Sequence, residues 1–422
     1  MTAIVFNCGH NGLAIIQELG RNGIPVIALD AKRSARTLSR YSNFIRCPDP
    51  LVRESKFIRF LMDMDHQSRQ RPVLFPTNDH WALTIARHRK TLEERYRLCV
   101  PSFEVTSLLI EKHRFYSWSS SHDYPVPRSW KTSELSHIPK SAFPIVLKPE
   151  ARRLPSDDPE MRRRSSIKDR LRFRLFSAAE DLDNFFQVNE MDKDDFIFQE
   201  FVEGMSNDMF TVGVYVDQNH RVRGLFSGRK VRGAPPDIGD CALGQVEMVP
   251  LEIKNLVVEI CARLGYSGIA EFEFKRDRRT KEFKLIEVNP RSWSWIGITP
   301  AVGVSLPLIA YRDLVGDLGD EPTCCESSCA DGSVKWVKLS ADIPACFWKN
   351  RRQGFPDWSF TIPRWKKTLE TKHLVVAEWS KDDFLPSFVM AVGLPLFVAV
   401  EIFRSAKEGL RKLVRRVEFF KR

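Results

Sequence analysis

Two stretches of alternating residues constrain this chain more than any other feature. They are 270–274 (Ala-Glu-Phe-Glu-Phe) and 283–289 (Phe-Lys-Leu-Ile-Glu-Val-Asn). Successive side chains of a strand point to opposite faces, so Glu271 and Glu273 share one face of the first, and Phe283, Leu285, Glu287 and Asn289 share one face of the second. The intervening residues 276–281 are polar and turn-like, which predicts a hairpin. Pairing the strands brings Glu273 close to Glu287 and Asn289. Three oxygen ligands on rigid strands suit a hard cation such as Mg²⁺, which keeps part of its water shell and bridges substrate phosphates. The alternative, an exposed polar sheet face, leaves unexplained why these acids sit among strongly apolar neighbours.

The opening segment has a different pattern. Ala3 to Phe6 form a short apolar run, residues 8–12 a turn, 13–19 have helical apolar spacing, Gly23 closes the helix, and 25–29 form a second strand ending in Asp30. This is a βαβ unit with a glycine loop at its first crossover. The loop reads Gly9-x-x-Gly12 instead of Gly-x-Gly-x-x-Gly. A nicotinamide-dependent dehydrogenase is therefore disfavoured, while contact of the loop amides with a small molecule or anion stays open. A strand at 73–76 followed by Thr77-Asn78-Asp79 repeats the layout, and Asp79 either caps the next helix or faces a ligand at the sheet's carboxyl edge. A helix over 107–118 carries Lys112, and a strand over 143–147 delivers Lys148. Further on, a helix is expected over 177–186, a strand over 196–202, strands over 209–216 and 222–226, and a helix over 251–264. An α/β opening followed by an α+β block is the expected fold class.

The net charge of +11 is local. Residues 151–174 hold nine basic and four acidic side chains, 404–422 hold eight and two, and the other 379 residues are neutral. A generic nucleic-acid coat is excluded, and no nucleic-acid partner is expected. The nine cysteines include no pair in zinc-knuckle or redox spacing, which predicts reduced thiols and a cytosolic setting. The Cys324, Cys325, Cys329 cluster reads as a Cys-rich loop in preference to a metal site, because no His or second Cys pair follows at ligand spacing. No signal peptide is expected from the N-terminal residues.

The segments Pro144-Ile145-Val146-Leu147-Lys148-Pro149, Gln199-Glu200-Phe201-Val202-Glu203-Gly204, Glu271-Phe272-Glu273-Phe274 and Glu287-Val288-Asn289-Pro290-Arg291, in this order and spacing, resemble the ATP-grasp superfamily. Within it the chain is similar to carboxylate–amine ligases of the D-aspartate ligase and carbamoyl-phosphate-synthase-like groups. The resemblance covers about residues 1–320. It implies a Rossmann-like N-terminal domain (1–105), an ATP-grasp domain (106–320, with its lid subdomain at about 115–200) and an extra C-terminal region (321–422). It also implies ATP and Mg²⁺ as cofactors, with Mn²⁺ as the alternative ion.

Roles follow from the resemblance position by position. Lys112 and Lys148 match lysines that neutralise phosphate oxygens. Gln199, Glu200 and Val202 match the hinge strand that meets adenine, and Glu203 or Asp208 falls near the ribose-binding acid. Glu273, Glu287 and Asn289 match the magnesium ligands, and Arg291 matches the arginine beside the γ-phosphate and acyl phosphate, where a planar guanidinium holds oxyanions. The run Gly228 to Arg232, with Arg229 and Lys230, resembles the substrate-side loop, against the alternative of a solvated hairpin tip. Trp293 and Trp295 either wall the acceptor pocket or pack the core.

Residues 151–174 fall where the superfamily has a loop that closes over the phosphates, with contact to an acidic polymer or lipid headgroup as the other reading. Residues 384–400 carry no charge but contain Pro386 and Pro395, and in 404–422 apolar residues recur at helical spacing among arginines and lysines. That pattern favours peripheral contact with anionic lipid over a full span, or a buried terminal segment as the alternative. The expected function is an ATP- and Mg²⁺-dependent, ADP-forming carboxylate–amine ligase. Its small-molecule acid and amine would include one that is lipid-linked or polymer-attached, met at the inner face of the membrane. A catalytically silent, membrane-recruited nucleotide-binding protein is the competing class. Substrate identity and oligomeric state are not specified by the sequence.

Overall fold

The computed structural model describes residues 1–65, 70–150, 174–189, 193–234, 239–318, 325–327, 329–349, 361–393 and 395. The basic stretch 151–174, apart from its last residue, and the tail 404–422 lie outside them, as does Cys324.

Among the described residues there are three sheets. The first is parallel, with strand order β3-β2-β1-β4-β5, built from β1 (Ala3–Phe6), β2 (Val26–Asp30), β3 (Ser42–Arg46), β4 (Val73–Phe75) and β5 (Arg97–Leu98). Helices α1 (His10–Arg21), α2 (Pro50–Asp63) and α3 (Asp79–Arg87) connect its strands. Its central strands β1 and β4 are fully apolar and buried, as a parallel sheet covered on both faces requires. The strand order reverses between β1 and β4, and ligands of open α/β sheets bind at such a switch point, outside the carboxyl ends of the strands. The first turn of α1 carries Asn11 there, and the loop after β4 carries Thr77 and Asn78. Asp30 accepts the Cys8 amide at 2.9 Å and so ties the glycine loop to the end of β2.

The second sheet is antiparallel, β6-β9-β7-β8, from β6 (Ser129–Trp130), β7 (Ile145–Pro149), β8 (Arg174–Phe176) and β9 (Phe196–Glu200). The third has eight strands. β10 (Met209–Val216), β11 (Val222–Ala234), β12 (Asp240–Val246), β13 (Gly268–Arg276) and β14 (Phe283–Asn289) are joined by β15 (Cys325–Glu326), β16 (Val334–Val337) and β17 (His373–Val376). Because β15 to β17 belong to the expected C-terminal region, this sheet crosses the boundary drawn at residue 320.

The hairpin forms, with Glu273 opposite Glu287 and Glu271 opposite Asn289, but its period is broken: a bulge at Ile286 turns Phe283 and Leu285 into the core with Val288, so of the four residues expected on one face only Glu287 and Asn289 line the cleft. Two more expectations need correction. The helix over 107–118 is two helices, Phe103–Ile110 and Lys112–Ser121, broken at Glu111. The break is made by tertiary structure: Glu150, just past β7, accepts the His113 amide at 2.8 Å and caps the second helix there. The run Gly228 to Arg232 is not a loop but the continuation of β11, paired with β12 through irregular register. Lys230 and Arg232 are both buried there.

The tryptophans form the floor between the first and third sheets. A Cβ on Gly213 would lie 2.2 Å from Cη2 of Trp293, one on Gly244 2.7 Å from Cε3 of Trp295, and one on Gly228 2.9 Å from Cη2 of Trp295. The glycines of β10, β11 and β12 are thus the recesses that accept the two indoles. Both rings are buried with β1, α1 and the helix Leu306–Val315 in one core.

Candidate active site

A cleft of about 330 Å³ opens where the three sheets converge, within the size range of small-molecule sites. The parallel sheet contributes Asn11, Thr77 and Asn78, and the four-stranded sheet contributes Lys148, Gln199 and Glu200. Lys230, Glu271, Glu273, Glu287 and Asn289 come from the large sheet, and Lys112, Val202, Arg291, Trp293 and Trp295 complete the wall.

On the large sheet the cleft is acidic. Glu271, Glu273 and Glu287 project toward it, and opposed like charges on neighbouring strands repel. Burial, then the neighbouring Glu273, pushes the Glu271 carboxyl well above the ordinary carboxylate range. Glu271 accepts from Thr211 Oγ1 at 3.2 Å and from Asn289 Nδ2 at 3.0 Å, which orients the Asn289 amide. Lys230 Nζ donates to Glu273 Oε1 at 2.9 Å. Burial alone would lower this lysine's pKa, but Glu273 and Glu271 overrule it and hold the ammonium charged. Among the described residues no three or more His, Cys, Asp or Glu gather into a metal cage. An ion that keeps its waters and takes one or two protein carboxylates plus phosphate oxygens needs no such cage. Glu273, Glu287 and the oxygen of Asn289 are the donors on this face that could hold it.

Opposite the acids, the cleft is basic. Lys148 Nζ donates to Gln199 Oε1 at 2.7 Å, and Gln199 in turn donates to Ser129 Oγ at 3.0 Å. Burial pushes the Lys148 ammonium down to about 8, with Glu287 opposing and Lys112 adding to the effect. Arg291 links the end of the large sheet to the parallel sheet. Its Nε donates to Asp79 Oδ1 at 2.7 Å, Nη2 to Asn289 Oδ1 at 2.9 Å and Nη1 to the Ser292 carbonyl at 2.9 Å. The N-cap of α3 is Asn78, which accepts the Trp81 amide, so Asp79 is left to hold the arginine. Neither reading of Asp79 made from the sequence describes this contact.

Of the residues singled out from the sequence, Lys112, Lys148, Gln199, Glu200, Val202, Lys230, Glu273, Glu287, Asn289 and Arg291 meet in the cleft. Three do not. Arg229 points to the opposite face of β11, where its Nε meets Glu247 at 2.7 Å, as the alternation of a strand demands once the loop is a strand. Asp208 is turned inward by the short helical turn Ser206–Asp208 and bonds Arg278 Nε at 2.6 Å and the Met205 amide at 2.8 Å. Glu203 is exposed and pairs with Arg279 at 3.3 Å. The acid that does reach the cleft here is Glu200, the last residue of β9, 3.2 Å from Arg128 Nε. Conversely, sequence reasoning missed Asn11, Thr77, Asn78 and Lys275 as cleft residues. The switch point of the parallel sheet was the available signal for the first three. Glu271 was visible in the alternation but passed over as a site residue.

No protein-family profile matches the chain. It is 25% identical over 306 residues to the D-aspartate ligase of Enterococcus faecium (strain Aus0004), which covers 70% of each chain. Among solved structures it resembles the biotin carboxylase domain of Hydrogenobacter thermophilus 2-oxoglutarate carboxylase, a dimer in complex with MgADP, ADP and bicarbonate. That likeness has TM-score 0.58 and 15% identity, and covers 76% of this chain and 70% of the other. It also resembles N5-carboxyaminoimidazole synthetase from Staphylococcus aureus, with TM-score 0.55 and 14% identity over 74% of this chain and 77% of that one. A cleft between a parallel switch point and two antiparallel sheets, the Glu-Val-Asn-Pro-Arg strand end and these likenesses converge on one architecture: the chain has an ATP-grasp fold and is similar in sequence to a D-aspartate ligase.

Proposed function

We propose that the cleft binds ATP with Mg²⁺ and joins a substrate carboxylate to an amine, releasing ADP and phosphate. The observation that carries this is the gathering of an acidic set (Glu273, Glu287, Asn289) and a basic set (Lys112, Lys148, Arg291) around one cavity. The metal, when bound, would neutralise the phosphate oxygens beside these acids. Lys112 and Lys148 offer compact ammonium groups to phosphate oxygens, and Arg291 offers a planar fork to the transferred phosphoryl group. A carboxylate oxygen attacks the γ-phosphorus as the bond to ADP breaks. The amine nitrogen then attacks the acyl carbon, phosphate leaves, and the nitrogen loses a proton as the amide forms. Positioning and charge neutralisation suffice, with no covalent enzyme intermediate. The Asn11, Thr77 and Asn78 edge, facing Trp293 and Trp295, is the part of the cleft left for the acid and amine. The relative named D-aspartate ligase supports an amino acid as one of them, and the exposed apolar C-terminal helix described below supports a lipid-linked or polymer-attached partner substrate at a membrane face.

The test is Mg²⁺-dependent release of ADP and phosphate across a panel of amino acids and amines. Stimulation by at least one pair is expected. ATP binding without turnover by any pair would leave a silent nucleotide-binding protein, and AMP with pyrophosphate would overturn the acyl-phosphate step.

Lys148 gives the binding reaction a pH signature. Its folded pKa of about 8 lies below the ordinary 10.5, and phosphate oxygens favour the ammonium form. ATP binding at pH 8 to 9 should therefore take up part of a proton, and affinity should fall as pH rises through this window. Below pH 7 the lysine is already charged and uptake should vanish. The unliganded fold binds fewer protons than the unfolded chain between about 8 and 10.5, so it gains stability as pH rises there. Titration calorimetry in buffers of different ionisation enthalpy measures the uptake, and Lys148→Met should abolish it. Uptake undiminished in that variant would remove Lys148 from the phosphate site.

A further inference from the structure

The helix Phe384–Gly393 is built inside out. Its polar residue, Ser387, is 1% exposed; its hydroxyl accepts the Ser380 amide at 2.8 Å and donates to the Asp383 carbonyl at 3.0 Å. Its large apolar residues face outward. Phe384 is 59% exposed, Leu385 51%, Phe388 50%, Val389 38% and Val392 63%. These positions recur at i, i+1, i+4, i+5 and i+8, one continuous stripe of an α-helix. A soluble helix places such a stripe against the core; here the core takes the opposite side.

The orientation is fixed, not incidental. Asp383 is fully buried and accepts from Gln17 Nε2 at 2.9 Å, Ser39 Oγ at 2.6 Å and the Arg40 amide at 2.9 Å. Asp382 accepts from Arg21 Nε at 2.7 Å and Tyr41 Oη at 2.9 Å. The N-terminal end of the helix is thus clamped to α1 and to the strand-connecting turn before β3, and it cannot roll its apolar side inward without breaking these contacts. Contiguous exposed apolar surface of this kind marks a binding face.

Charge identifies the partner. Lys381 and Arg40 are exposed at the clamped end of the helix. In the sequence, the helix is followed by seven residues, 394–400, without a charge, and then by 404–422 with eight basic and two acidic side chains. Apolar surface continuous in sequence with dense positive charge fits an anionic bilayer, where the side chains enter the headgroup boundary and lysines and arginines meet the lipid phosphates. Over Phe384–Gly393 the helix extends about 15 Å, half the hydrocarbon thickness.

We infer that the outward face of the helix Phe384–Gly393 docks the protein on an anionic membrane surface, with its N-terminal end clamped to the parallel sheet domain. The inference rests on the membrane part of the proposed function and supplies its contact element; ADP release in solution tests the ligase part independently. The full-length protein should co-sediment with phosphatidylcholine vesicles containing phosphatidylglycerol and not with phosphatidylcholine alone. Leu385→Asp combined with Val392→Asp, both at half-exposed positions, should weaken that partition on the order of tenfold while melting temperature and ATP binding stay as in the parent. Absence of the parent protein from the vesicle pellet would overturn the inference. So would partition of the double variant equal to the parent's, which would assign binding to another surface. A dimer in light scattering that the double variant dissociates, without vesicle binding, would assign the face to a second copy of the chain.

Discussion

Glu287→Gln is expected to lower Mg²⁺-dependent ADP release by about 10²- to 10³-fold, the cost typical of removing one preorganised electrostatic partner of a transition state. The residue faces Glu273 across the hairpin and lines the cleft. Its loss removes one anionic ligand and raises the Mg²⁺ concentration needed for half-maximal rate, while the amide keeps the shape of the side chain. Stability should change little, because repulsion from Glu273 and Glu271 is relieved by the same substitution. Glu273→Gln is a less clean experiment. It strips the carboxylate from Lys230, whose ammonium is 2.9 Å away and buried, so activity and stability would fall together. Rate against Mg²⁺ concentration for the Glu287 variant is the decisive measurement; an unchanged curve would remove Glu287 from the metal site.

The second large effect lies outside the cleft. Asp342→Ala should destabilise the fold by about 3–5 kcal/mol, as expected when one partner of a buried ion pair is removed. Arg232 Nε and Nη2 meet the two Asp342 oxygens at 2.7 and 2.8 Å, with both residues essentially inaccessible. Trp365 Nε1 donates to the same carboxylate at 2.7 Å, and Arg232 Nη1 donates to Thr368 Oγ1 at 2.9 Å. The pair therefore holds the helix Ile362–Leu369, which has no buried residue of its own, against β11. Hydrogen exchange should show that helix opening first, ahead of the global transition. Arg232→Met with Asp342→Leu, which leaves no unpaired charge, should recover most of the loss and still bind ATP. A parent-like melting curve for Asp342→Ala would refute the account, and loss of nucleotide binding in the double variant would return Arg232 to the site.

Arg232 also shows where sequence reading reached its limit. A run of Gly, Arg, Lys, Val and Arg has the composition of a solvated tip, and nothing local says that Asp342, 110 positions away, neutralises one arginine while Glu273 neutralises the lysine. Once the run is a strand, period two assigns Arg229 to the far side and Lys230 to the cleft. The same holds for Asp208. The resemblance places it, or Glu203, near the ribose-binding acid, but a single turn directs its carboxylate to Arg278. Residues 107–118 read as one helix because they contain no glycine or proline, yet Glu150 competes for the backbone amide at its middle and splits it.

What the sequence determined by itself was the hairpin, since two alternating runs and the polar turn between them are local features. Its register at the cleft end was decided by the bulge at Ile286, which sets Glu287 opposite Glu273. The βαβ opening was legible for the same reason, since its period and its glycine punctuation are local. What only the tertiary structure decided was which charges face one another across sheets: Asp79 on Arg291, Glu271 behind Asn289, Asp342 on Arg232, and Asp383 clamping a helix with its apolar side outward. A charged side chain is placed by whatever partner offsets its desolvation, and that partner is set by the packing of distant segments. Local periodicity carries no record of it.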